Sequence, residues 1–266
     1  MDVLGVLGYI CALFIGLILG LIGGGGSILT VPILVYLFSL NPVTATAYSL
    51  FVVGSTTFFG SIKNINKGMI DYKAGVIFAV PSFIAVYITR KYLVPKIPEK
   101  LFLINDFLLT KDVAIMMFFS FLMLVAAFYM IKDKELAVAK NTLIKYNYPS
   151  LITQGFTIGI LTAIIGAGGG FLIVPALVIW TKLPMKKAVG TALFIIAIKS
   201  LIGFIGDVEN LKIDWVFLLS FTSISVIGIY LGIYISNFIE GRKLKRWFGW
   251  FVFIMSVSIL FLEVFV

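Results

Sequence analysis

Histidine is missing from this chain of 266 residues, cysteine occurs once, and only 12% of the residues carry charge. Each shortage excludes something. Without histidine there is neither the commonest metal ligand nor the commonest general base near neutral pH. The single Cys11 cannot form a disulfide within the chain, and its place in an apolar run reads as a small packing residue. No Gly-x-Ser-x-Gly element occurs, and no acidic pair sits inside an apolar run, so an activated serine and a carboxylate dyad are both out of view. The chain therefore reads as no enzyme, with no cofactor and no metal.

What the chain has in excess is apolar surface. Hydrophobic residues make up 61%, and mean hydropathy is +1.13. Runs of about eighteen or more apolar residues read as membrane spans. They fall at 3–22 continuing through 28–38, 43–62, 74–94, 113–131, 148–165 continuing through 171–180, 188–205, 215–238 and 247–265. The expectation is an all-α polytopic membrane protein, a duplicated helical bundle of about eight spans. The opening MDVLGVLGYICALFIG has no basic stretch and reads as a retained first span. The net charge of +9 sits mostly in loops. In such a protein it signals loop orientation and attraction to anionic headgroups, not nucleic acid.

Two tracts, GLIGGGGSILTVP at 20–32 and AIIGAGGGFLIVP at 163–175, align at an offset of 143. Gly23, Gly25 and Gly26 meet Gly166, Gly168 and Gly169, and Pro32 meets Pro175. The register holds onward: Ala45 meets Ala188, Leu50-Phe51 meets Leu193-Phe194, Gly60 meets Gly203, and Ile70-Asp71 meets Ile213-Asp214. The chain reads as two transmembrane repeats, 1–142 and 143–266. The first carries extra residues around 95–111, where IPEKLFLINDFLLTKD suits either the membrane surface or a loop packed on the bundle. Internal repeats point to secondary transporters, whose substrate site lies where the repeats meet.

Residues 3–38 as one helix would be about 54 Å long, against a hydrocarbon core of about 30 Å. The glycines must break it. Four spans per half make the repeats parallel, and five make them inverted. Eight main spans with broken first segments is the preferred count. In lipid, irregular backbone survives only where protein or a watery cavity protects it. The breaks at Gly23, Gly24, Gly25, Gly26 and Ser27, and at Gly166, Gly168, Gly169 and Gly170, therefore suggest an interior site. Bare N–H groups and the positive end of a restarting helix would favour an anion there. Close helix packing through glycine is the competing reading. A P-loop is not, since no Lys-Ser or Lys-Thr follows either tract.

Lys199 stands in the middle of GTALFIIAIKSLIGFIGD, where a lysine costs about 2.5–3.5 kcal/mol to insert. Its repeat counterpart is Thr56. Snorkelling to an interface is one reading. The other is a cationic contact for an anionic substrate, with Ser200, Thr191, Thr56, Thr57 and Ser49 as polar neighbours. Asp71 and Asp214 precede spans and read as helix N-caps. Asn64 and Asp207 fall in matching loops and read as solvated caps.

GLIGGGGSILTVPIL, GILTAIIGAGGGFLIVPALV and VGTALFIIAIKSLIGFIG resemble the TauE/SafE sulfite-exporter family of bacterial membrane permeases over nearly the whole chain. Where that family commonly carries a Gly-Thr-Ser-like element, this chain has Gly190-Thr191-Ala192. The resemblance implies a duplicated helical permease of the inner membrane, exporting a small anion such as sulfite, a sulfonate or a related organic anion. An anion channel, or a non-transporting receptor or assembly factor, stays open as an alternative. The implied partners are a small anionic substrate and the lipid bilayer, with no nucleic acid; assembly as a homo-oligomer stays open.

Overall fold

The computed structural model describes residues 3–98, 100–104, 107–132, 148–165, 168–181, 183–209 and 211–265. The helices are α1 (Val3–Ile22), α2 (Gly26–Pro32), α3 (Pro42–Asn66), α4 (Tyr72–Ile88), α5 (Lys111–Ile131), α6 (Tyr148–Ile165), α7 (Gly170–Trp180), α8 (Met185–Val208), α9 (Trp215–Ile235) and α10 (Gly241–Phe265). Single π-helical turns, Ile33–Leu37 and Thr89–Leu93, extend α2 and α4. Among the described residues five helical segments are long and apolar enough to cross a membrane: Pro42–Asn66, Tyr72–Lys96, Tyr148–Ile165, Met185–Val208 and Trp215–Ile235. The chain is a multi-pass membrane protein.

Side-chain caps fix where several helices begin. Asn41 precedes Pro42, and its Oδ1 accepts from Thr44 N–H at 2.7 Å. Asp71 Oδ1 accepts from Ala74 N–H at 3.0 Å, and Asp214 Oδ1 from Phe217 N–H at 3.1 Å. Both aspartates are thus N-caps, as their place before apolar runs predicts. The stretch IPEKLFLINDFLLTKD contains a strand pair where a plain loop was one expectation. Lys100–Ile104 (β1) pairs antiparallel with Phe107–Thr110 (β2), with Ile104 opposite Phe107. Pro98 stops helix propagation, and the Phe- and Ile-containing segments favour extended pairing. Thr110 then caps α5 through Val113 N–H.

At the first glycine tract the chain reverses rather than continuing. Gly23 takes φ +78°, a left-handed conformation that glycine adopts without penalty. Gly26 then lies so close to the Ile15 carbonyl and Leu19 that a Cβ would overlap them, and the Phe38 ring covers Gly8. In a helix that merely bent at the break, Phe38 would be about 45 Å from Gly8. The segment Gly26–Leu37, about 18 Å long, therefore folds back along α1 as the second arm of a hairpin. This differs from the expected broken span, and the physical reason is the positive φ in a tract with no side chain to block the turn.

Glycines also set the helix packing. Gly16 and Gly20 of α1 face Gly228 and Gly232 of α9, each without room for a Cβ against the partner's backbone. This is the small-residue spacing that lets helices approach within lipid. The two helices run the same way: Tyr9 OH pairs with Ser220 Oγ at 3.1 Å, and Ser225 Oγ donates to Ala12 O at 2.9 Å. Similarly α6 runs along α4, with Gly155 on Phe78 and Gly159 on Ser82. Helices α3 and α8 occupy the centre and run antiparallel; Phe51 meets Phe204 at 4.9 Å between ring centroids, and Gly54 meets Leu201. Outside them α5 and α10 are tied by Ser120 Oγ donating to Ser256 O at 2.7 Å.

Candidate functional site

The two glycine breaks meet. A Cβ on Gly24 would overlap the Gly170 backbone, and one on Gly170 would overlap Gly24. The second break turns through Gly168 and Gly169, both left-handed at φ +64° and +69°. Gly169 is the residue before α7, and its carbonyl accepts from Leu172 and Ile173 N–H at 3.0 Å each. Gly166 lies outside the described residues. In the first break the Ser27 hydroxyl is used locally, donating to Gly24 O at 2.6 Å.

Lys199 projects from α8 onto this second break. A Cβ placed on Gly169 would lie 2.7 Å from Lys199 Nζ. The lysine is 1% exposed, so it does not snorkel to an interface. Its Nζ donates to Thr162 Oγ1 of α6 at 2.8 Å, and Thr162 in turn donates to Gly159 O at 3.2 Å. Among the described residues no carboxylate pairs with it. Thus the buried Lys199 amine sits beside the start of α7, where helix N–H groups put positive potential. An anion held between the two is attracted to both when the amine is protonated.

Hydroxyls gather around the same loop. A Cβ on Gly168 would overlap Val53 of α3 and lie 3.4 Å from Ser200 Oγ of α8. Ser49 and Thr56 flank Val53 at helical spacings that put them on or near its face of α3. Ser49 Oγ, Thr56 Oγ1 and Ser200 Oγ are buried without a protein hydrogen-bond partner among the described residues, as is Ser82 Oγ. Buried hydroxyls are normally paired with protein or water, so a group of open ones marks room for water or a ligand. Thr57 differs, since its hydroxyl donates to Val53 O at 2.7 Å.

Thr191 is placed elsewhere. Its hydroxyl accepts from Asp71 N–H at 2.9 Å and donates to Lys187 O at 2.7 Å, at the first turns of α8. It anchors the loop before α4. On the opposite end of the bundle Tyr48 OH accepts from Asp214 N–H at 2.6 Å and anchors the loop before α9. The two anchors occupy corresponding positions at the 143 offset.

The sequence reading missed Thr162 and the Arg90–Asp207 pair. Asp207 is not a solvated cap: it is buried, and Arg90 Nη1 approaches its Oδ2 at 3.3 Å. The available signal was positional, because Arg90 matches Ile233 inside an apolar run at the 143 offset. At the other end of the bundle lies a solvent-open pocket lined by Ile22, Asn64, Lys67, Val189, Ile233 and Asn237 among others, with a cavity volume of about 90 Å³.

A family model described as sulfite exporter TauE/SafE matches residues 8–259. The chain is 26% identical over 253 residues to a probable membrane transporter protein of Xylella fastidiosa strain 9a5c, covering 92% of this chain and 91% of the relative. It is 27% identical over 266 residues to the probable membrane transporter protein YunE of Bacillus subtilis, with 89% and 91% covered. A segment of 110 residues is 37% identical to the probable membrane transporter protein MJ0441 of Methanocaldococcus jannaschii, with 39% and 41% covered. No solved structure matches the chain.

Proposed function

We propose, from the premise that the chain belongs to the sulfite exporter TauE/SafE family, that it is a secondary carrier of a small anion such as sulfite or a sulfonate, exporting it across a bacterial inner membrane by alternating access. The observation that carries this is Lys199. An ammonium held deep in the bundle with one hydroxyl and no carboxylate is a standing cost that a bound anion relieves. Gly168 and Gly169 bring bare backbone close beside it, where a Cβ would have no room, and Ser200, Ser49 and Thr56 offer unused donors. An oxyanion with several acceptor oxygens suits that set.

We read the halves as inverted repeats of five elements each. Supporting this, α3 and α8 begin at Pro42 and Met185, and α4 and α9 at Tyr72 and Trp215, each pair 143 residues apart. Moreover α3 and α8 run antiparallel, while α1 follows α9 and α6 follows α4. The eight expected spans then correspond to eight long helices, with α2 and α7 as short returning arms. In this arrangement Lys63, Lys67, Lys73, Lys132, Lys186, Lys187, Arg242, Lys243, Lys245 and Arg246 lie toward the pocket end. Arg90, Lys91, Lys96, Lys100, Lys111 and Lys212 lie toward the other. The excess of Lys and Arg makes the pocket end cytoplasmic.

A monovalent anion gains about 2.3 kcal/mol per 100 mV on leaving a negative interior, so export needs no coupled ion. The test is purified protein in liposomes, challenged with labelled sulfite, taurine, sulfoacetate and lactate. Saturable flux with counterflow of one of these anions supports the carrier. Flux without saturation or counterflow makes the protein a channel, and no anion-dependent flux makes it a receptor or assembly factor.

A further inference from the structure

The two ends of the α3–α8 axis are built from matching positions yet differ in state. Thr46, Arg90 and Asp207 at one end correspond at the 143 offset to Val189, Ile233 and Asn64 at the other. The second trio lines the open pocket. The first trio is buried, with Arg90 and Thr46 0% and 1% exposed and Asp207 4%; Ile233 and Asn64 of the second are also buried, and what distinguishes that end is the pocket beside them and the partial exposure of Val189. Arg90 Nη1 donates to Thr46 Oγ1 at 3.0 Å and faces Asp207 Oδ2 at 3.3 Å. Beside them Lys91 Nζ pairs with Glu209 Oε2 at 3.2 Å. So α4, α3 and α8 are tied by two neighbouring ion pairs at this end. The corresponding positions of the pocket end, Ile233, Tyr234, Asn64 and Asn66, carry no charge, and the longer contact there, Lys187 Nζ to Asp71 Oδ2 at 3.9 Å, joins α8 to the cap of α4 at other positions.

The closing contact is incomplete. Among the described residues Arg90 Nε and Nη2 have no hydrogen-bond partner, and the contact to Asp207 Oδ2 lacks the alignment of a hydrogen bond. A buried ion pair recovers its desolvation cost only when the geometry is good and the remaining donors are satisfied. This one leaves donors unsatisfied, so admitting water to it recovers part of that cost. Arg90 also sits in the π-helical turn Thr89–Leu93, a widened turn of the kind that marks functional positions in helices. Asp207 lies eight residues beyond Lys199 on α8, about 12 Å along the axis. Between them Gly203 packs on Leu50 and Val86.

We propose that Arg90, Asp207 and Thr46 form the closed outer gate of the pathway, and that the pocket at Asn64 and Val189 is its open cytoplasmic counterpart. The gate rests on the carrier reading above, and its test is independent of flux. In a Cys11→Ser background, Val189→Cys reports on the pocket and Leu50→Cys reports on the space behind the ion pair. A membrane-impermeant maleimide is applied from each side of the membrane. Val189→Cys is expected to label from the cytoplasmic side, and Leu50→Cys to stay protected from the outside. Adding Asp207→Asn raises outside labelling of Leu50→Cys by about tenfold or more, and the charge exchange Arg90→Asp with Asp207→Arg restores protection. Arg90→Lys, which keeps the charge but loses the planar fork, gives an intermediate rate. Retained labelling of Val189→Cys shows that each variant is folded.

Outside labelling of Leu50→Cys with the pair intact overturns the gate. So does an unchanged rate in both Asp207→Asn and Arg90→Lys, or a Val189→Cys that labels from neither side. A protein that shows this asymmetry but moves no anion keeps the gate and loses the carrier. Saturable flux without the asymmetry does the reverse.

Discussion

Lys199 Nζ donates to Thr162 Oγ1 at 2.8 Å, tying the middle of α8 to α6 just where the second glycine break begins. The hydroxyl has a partner without the lysine, since it donates to Gly159 O. Lys199→Met should therefore lower anion flux at least about tenfold, as loss of one charge-assisted contact does. Stability should stay level or rise by about 1 kcal/mol, because a buried charge is replaced by apolar volume. Liposome flux and thermal unfolding in detergent read the two effects. A parallel fall in both would make Lys199 a strut rather than a ligand.

Two left-handed glycines separate space from conformation. Gly68 has φ +65° and open surroundings, whereas a Cβ on Gly169 at φ +69° would overlap the Thr162 side chain. Gly68→Ala should cost about 1–2 kcal/mol, the conformational penalty alone. Gly169→Ala should cost clearly more and lose transport, measured as melting temperature and flux on the same preparations. Equal melting temperatures for the two variants would contradict the packing described for the break.

Thr191 and Tyr48 should behave as structural partners. Thr191→Val or Tyr48→Phe removes the acceptor of a loop N–H, at Asp71 or Asp214. Each should lose about 1–3 kcal/mol of stability and leave the apparent affinity for the anion unchanged. A selective rise in KM for Thr191→Val would instead return that residue to the substrate path.

The α1–α9 seam has no tolerance for bulk. Gly16→Leu and Gly228→Leu should each prevent assembly of a monodisperse protein, because both positions face partner backbone. Gly75→Ala is the control: the nearest atoms its Cβ would meet are on the Phe194 and Thr191 side chains, at 3.3–3.6 Å, not on partner backbone. Size-exclusion profiles after membrane extraction distinguish them.

Composition and apolar runs were enough to read the helices, because spans are long and the bilayer fixes their length. The caps at Asp71 and Asp214 were legible for the same local reason. The reversal at Gly23 was not, since four glycines permit a bend and a turn alike and only the contact of Phe38 with Gly8 decides. Lys199 was legible as an anomaly of depth, but its partner Thr162 was hidden, because a threonine in an apolar helix commonly bonds its own backbone. Arg90 and Asp207 each sit near a span end, where charge is ordinary. What makes them unusual is that they face each other, and that depends on how α4 and α8 cross.

The contact of Gly24 with Gly170 has a mechanical consequence. Neither residue has a side chain, so the two breaks approach to backbone contact, and a single methyl group on either surface would act as a wedge, driving the breaks apart and against the Ile196 side chain that also packs on Gly170.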